Sequence, residues 1–159
     1  MEEIKVYRYE DVIHAPIDLV FKYVDDDEKI KLWNTMLIEN IYDNEENKPI
    51  PEPGTKFVTV QKLDKKILKI DSELIEYEAP YKVVMHSHSK EGLSISRYLL
   101  SREHDGTRLI VEASLIPSSL FYKLTTKLLG WTAKFVFEEQ YQNLKKYVEN
   151  EAEESSRRG

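Results

Sequence analysis

The sequence predicts an α+β domain, an antiparallel meander followed by one long C-terminal helix. Segments of strand character recur with Gly or Pro between them: Gly54, Gly92 and Gly106 mark turns, and Pro16, Pro49, Pro51, Pro53, Pro80 and Pro117 mark boundaries. After Pro117 the pattern becomes helical, from Ser118 to about Asn150. Within that helix the apolar stripe changes sides. At ~100° per residue, Phe121, Leu124, Leu128, Trp131 and Phe135 share one face, while Ala133, Phe137, Tyr141, Leu144 and Val148 centre on roughly the opposite one. Gly130 sits near the switch, where a helix interior loses ~1 kcal/mol relative to Ala. Either the helix bends or breaks there, or its first half covers something its second half does not. A helix laid on a sheet, with a separate apolar segment near one end, points to a lidded cavity rather than a solid core.

The elements follow in order. A first strand, about Ile4 to His14, ends at Ala15-Pro16, and Pro at a helix start with Asp18 behind it begins a short helix with Leu19, Val20, Tyr23 and Val24 on its apolar face. The acidic turn Asp25-Asp26-Asp27-Glu28 leads into a second short helix ending at Trp33, its acids at the positive end of the dipole. Strand character resumes near Met36, and Asn44 to Pro53 reads as an exposed loop. Strands are then expected at 55–63, 66–78, 81–89, 93–103 and 107–116. Ser118 and Ser119 precede the long helix, and N-capping accounts for one of them.

At 159 residues without Cys, the chain fits one domain over 1–150 with a frayed tail over 151–159, has no disulfide or thiol chemistry, and suits a reducing cytoplasm. The charged N-terminus lacks the apolar core of a signal peptide, and no run reaches the ~18 apolar residues of a membrane span. A net charge of −6 argues against nucleic acid as a partner. The charge is uneven: residues 118–137 hold Lys123, Lys127 and Lys134 and no acid. A solvated face whose Lys stems cover apolar neighbours is the simpler reading. The other is transient contact with an anionic membrane through Lys123, Lys127, Trp131 and Lys134.

Six short motifs, in order along nearly the whole chain, resemble the START-like (SRPBCC) superfamily: Ile13-His14-Ala15-Pro16-Ile17-Asp18-Leu19-Val20-Phe21, Lys31-Leu32-Trp33-Asn34, Pro53-Gly54-Thr55-Lys56-Phe57, Glu76-Tyr77-Glu78-Ala79-Pro80, Tyr98-x-Leu100 with Asp105-Gly106-Thr107-Arg108-Leu109, and Leu144 to Glu149. That group includes lipid-transfer START domains, birch-pollen allergens and polyketide cyclase/dehydrase-type proteins. The resemblance implies a helix-grip fold, a curved antiparallel sheet wrapped around the C-terminal helix, with a mostly apolar cavity between them. It also implies Trp33 at the cavity floor. It does not imply one chemistry.

Turn geometry sets which residues face that cavity. A two-residue turn at Asp64-Lys65 places Phe57, Thr59, Gln61, Leu68, Ile70, Ser72 and Leu74 inside. A type I′ turn at Asp105-Gly106 opposes Leu100 to Val111, Tyr98 to Ala113 and Ser96 to Leu115, with the charged Arg97, Glu103, Arg108 and Glu112 outside. A three-residue loop Lys90-Glu91-Gly92 would oppose His88 to Ser94, His86 to Ser96 and Val84 to Tyr98, so that Val84 and both His point inward. A one-residue slip reverses this and turns Val83, Met85, Ile95, Arg97 and Leu99 inward. Leu128, Trp131 and Phe135 complete the expected lining from the helix.

The chemistry is open at this stage. The leading expectation is a binder or carrier of a small hydrophobic molecule or lipid. His86 as acid or base with Tyr98 polarising a carbonyl would instead suit a cyclase- or dehydrase-like enzyme. His86 and His88, ~7 Å apart along one strand face, lack the third ligand zinc requires, so no metal is expected. No phosphate-binding Gly loop or nucleophile elbow is present, and no cofactor is expected.

Overall fold

The computed structural model describes residues 2–43 and 50–158. Seven antiparallel strands form one sheet in the order β1-β7-β6-β5-β4-β3-β2. The strands are β1 (Ile4–Ile13), β2 (Leu37–Tyr42), β3 (Lys56–Leu63), β4 (Lys66–Glu78), β5 (Lys82–Ser89), β6 (Gly92–Glu103) and β7 (Gly106–Pro117). Helices α1 (Ile17–Asp25) and α2 (Asp27–Trp33) lead from one edge strand to the other, and α3 (Leu120–Arg158) lies on the concave face. Register shifts at Lys5/Tyr7, Leu37/Glu39 and Leu74/Glu76 insert extra residues, and such bulges bend strands and raise twist. This is the α+β helix-grip arrangement. Residues 44–49 of the expected 44–53 loop lie outside the described residues.

Local chemistry explains the short helices. Pro16 stands just before α1 with φ −62° rather than inside its first turn. Asp26 caps α2 by accepting from the Glu28 amide at 3.0 Å. The core gathers where α1 and the second half of α3 meet β1, β6 and β7: Ile13, Val20, Leu109, Val111, Leu144 and Val148 are fully buried.

Both long hairpins depart from the expected turns for one reason, the β6/β7 turn falling one residue earlier and the β5/β6 loop being one residue shorter. Ser89 pairs with Gly92 and Glu103 with Gly106, so the turns are Lys90-Glu91 and His104-Asp105, and each Gly opens the following strand. A Cβ on Gly92 would lie 2.1 Å from the Ile116 carbonyl oxygen, and one on Gly106 would lie 2.1 Å from that of Ile13. These glycines admit a neighbouring backbone rather than making the turn itself.

The consequences differ. In β6/β7 the pairing moves by two residues, to Tyr98 with Val111 and Ser96 with Ala113, so every inward assignment there survives. In β5/β6 it moves by one, to Val83 with Tyr98 and Met85 with Ser96, which turns Val83, Met85 and Ser87 inward. Val84, His86 and His88 therefore belong to the outer face, contrary to the expected register.

Helix α3 is continuous for 39 residues and runs to Arg158, through Gly130 and beyond the expected end near Asn150. Its C-terminal stretch is tied down: Lys145 meets Asp11 at 2.9 Å, Glu149 accepts from the His14 amide at 2.9 Å, and Glu151 accepts from Tyr23 at 3.0 Å and Lys29 at 2.7 Å. At ~1.5 Å per residue such a helix is about 58 Å long.

Candidate functional site

Between the concave sheet, α2, β2 and the middle of α3 lies a cavity of about 210 Å³. Its floor is aromatic. The Tyr141 ring is 5.4 Å from that of Trp33, 5.5 Å from Tyr9, 6.1 Å from Tyr7 and 6.2 Å from Tyr98. Trp33 is held by donating to the Tyr23 carbonyl at 2.8 Å.

Two buried hydroxyls, Tyr98 and Tyr141, meet at 3.0 Å on this floor. Burial pushes both phenols above their ordinary value, so both stay protonated at neutral pH. One proton bridges the pair, which leaves one O–H able to donate to a guest. Along the sheet wall, Thr59 and Ser72 lie 3.2 Å apart and Ser72 and Ser87 2.9 Å apart, a chain of hydroxyls joining β3, β4 and β5.

The α2/β2 side is more polar. Asp27 accepts from Asn40 Nδ2 at 2.9 Å and from the Tyr42 hydroxyl at 3.0 Å, and Asp25 accepts from Tyr77 at 3.1 Å. Burial, reinforced by Asp25, pushes the Tyr77 phenol up to about 12. Because the Asp27 carboxylate takes the amide nitrogen, the Asn40 oxygen is committed to the other side, where it is buried without a hydrogen-bond partner among the described residues. Apart from Asp25 and Asp27, the described lining carries no charged side chain: no Lys, Arg or His.

Of the residues expected at the site, Trp33, Phe57, Thr59, Gln61, Ser72, Leu74, Ser96 and Tyr98 line the cavity. Leu68 and Ile70 share the inward face of β4 but lie past the cavity's end, and Leu68 is exposed. Leu100 and Val111 are buried in the core, and Ala113 packs against it. Leu128, Trp131 and Phe135 stand in solvent, 65–72% exposed. The helix instead supplies Phe137 and Tyr141. Their place on the second apolar stripe was the signal for them. Asn40 and Tyr42 had none, because β2 is short and has no fully buried position.

With His86 outside, the His86–Tyr98 pair does not assemble. His88 borders a separate open groove with Lys56, Asp71 and Glu73 on the outer side. Among the described residues no group of three His, Cys, Asp or Glu is placed to hold a metal ion. No described helix is long and apolar enough to cross a membrane.

A curved sheet gripping a C-terminal helix, with a cavity between them, defines a START-like (SRPBCC) protein. More particularly, residues 14–149 match the family described as activator of Hsp90 ATPase homolog 1-like protein, and the chain belongs to that family. No curated protein matches it. Among solved structures it is similar to protein NE0264 from Nitrosomonas europaea, with TM-score 0.69 and 14% identity over 91% of this chain and 94% of the other. It is similar to Ara h 8.0201, with TM-score 0.63 and 12% identity over 92% and 98%. It also resembles DynU16, a protein of the dynemicin biosynthetic locus, with TM-score 0.66 and 15% identity over 96% of this chain and 49% of that one. At these identities the likeness is one of fold.

Proposed function

We propose that this protein binds and carries a compact, neutral, mostly apolar molecule bearing a hydroxyl or carbonyl group. The observation that carries this reading is the cavity wall itself: aromatic and aliphatic groups interrupted by hydroxyls, with no cationic side chain in the described lining. A carboxylate or phosphate placed there would lose its hydration and meet no countercharge among the described lining residues. A neutral guest fits better. Its acceptor oxygen accepts a hydrogen bond from the spare Tyr98/Tyr141 O–H, and a donor on it satisfies the Asn40 oxygen.

The size bounds the guest as well. Ligand pockets commonly span ~300–1,000 Å³, so about 210 Å³ suits a compact molecule or part of a single-chain lipid rather than a whole two-chain lipid. Burying ~300 Å² of apolar surface yields ~7 kcal/mol at ~25 cal/mol per Å², and association costs at least ~4 kcal/mol. Apolar burial alone gives weak binding, and the hydroxyls supply selectivity. A cyclase- or dehydrase-like reaction would use Tyr98 and Tyr141 as a neutral donor pair, with Asp25 and Asp27 as the carboxylates of the described lining.

The test is titration with the neutral dye Nile red, against a fluorescent fatty acid carrying a carboxylate. Nile red is expected to bind one per chain, more tightly than the acid, and Ser96→Phe, which fills the cavity, is expected to weaken it at least tenfold. Equal binding to the filled variant would mean the dye sits elsewhere, and preference for the acid would overturn the neutral-guest reading.

A further inference from the structure

We infer that the first half of α3, residues 120–136, is a docking surface for the headgroup region of an anionic lipid bilayer. The register of α3 is set by its second half, where Tyr141, Leu144 and Val148 point into the core. Continuing those positions upstream puts Thr126, Gly130 and Ala133 on the sheet-facing side, and all three are half-buried. The large apolar residues are thereby turned away from the body. Phe121 is 68% exposed, Leu128 72%, Trp131 65% and Phe135 70%, with Leu120, Leu124, Leu129 and Val136 exposed around them. An apolar stripe of this extent on a soluble domain marks an interaction face.

Charge selects what covers it. Lys123, Lys127 and Lys134 lie along one edge of the stripe, and residues 118–137 contain no Asp or Glu although the whole chain is at −6. A second copy docking here helix against helix would bring six ammonium groups together with no carboxylate from either segment. An anionic bilayer supplies the missing charge: the stripe enters the acyl boundary to ~5–10 Å while the Lys stems reach back to phosphates. The acidic body is repelled by the same surface, which leaves α3 as the face presented. The surface uses none of the cavity's lining residues.

The experiment is co-sedimentation of the full chain with vesicles of equimolar phosphatidylglycerol and phosphatidylcholine, against pure phosphatidylcholine. Binding is expected only to the anionic vesicles. Removing three juxtamembrane charges in Lys123→Gln/Lys127→Gln/Lys134→Gln is expected to weaken it roughly a hundred-fold at low salt. Trp131 emission should shift to the blue on binding, read as the difference between the native chain and Trp131→Phe so that buried Trp33 cancels. Binding indifferent to the Lys residues and to salt would overturn the inference, as would no association with either vesicle. A concentration-dependent dimer that shields Trp131 from acrylamide would overturn it in favour of a second copy. Nile red binding to the triple variant separates this outcome from the cavity reading: it persists if docking alone is wrong and is absent if the cavity reading fails as well.

Discussion

The two halves of α3 have opposite fates, and the more apolar half is the one left exposed. Downstream of Phe137, the residues in line with Tyr141, Leu144 and Val148 are buried against β1, α1 and the aromatic floor, and Glu149 and Glu151 tie the last turns to the body. Upstream, Phe121, Leu128, Trp131 and Phe135 sit about half a turn round the same helix and face water. Hydrophobicity alone did not decide which half packs. The phase of the stripe did, because a rigid helix offers only one face to the sheet along its whole length.

The largest expected effect separates the halves directly. Leu144 is 0% exposed and Leu128 72%, so Leu144→Ala should cost about 3 kcal/mol and Leu128→Ala no more than about 0.5 kcal/mol in urea unfolding. Comparable losses would mean that the first half packs on the body after all.

Gly130 sharpens the same comparison. A Cβ there meets nothing within 4 Å, so Gly130→Ala should stabilise by up to about 1 kcal/mol through helix propensity. A loss of stability would show that the helix needs to bend at this point.

The smallest effect concerns acid. The Lys29 ammonium, aided by Tyr23 and opposed by partial burial, holds the Glu151 carboxyl below its ordinary value of 4.5. A carboxyl lowered in the folded state contributes its full stability above the unfolded value and loses it as pH falls through the lowered one. The difference between the native chain and Glu151→Gln should be at most about 1 kcal/mol at pH 7 and should fade as pH drops below 4.5. Amide exchange is expected to report the change at the C-terminal end of α3 and not in 120–136. A difference that grows toward low pH would reverse the assigned sign.

Much was legible in the chain because it is written in short-range chemistry. The Pro and Gly boundaries, the Asp64-Lys65 turn and the alternation of β3 and β4 placed Phe57, Thr59, Gln61, Ser72 and Leu74 at the cavity. Trp33 followed from its motif and Tyr98 from the charged alternation of β6. The helix's change of stripe at Gly130 was also visible. Tertiary structure decided the rest. The role of Gly92 depends on the Ile116 carbonyl brought beside it by β7, a contact far away in sequence, and that one-residue difference moved His86 and His88 from the cavity to the outer face. The Asn40–Asp27 and Tyr98–Tyr141 pairings join residues that only the folded sheet and helices bring together. Periodicity can say that a helix has two apolar faces, but which of them meets the sheet depends on how the helix is seated, and α3 is seated by its second half.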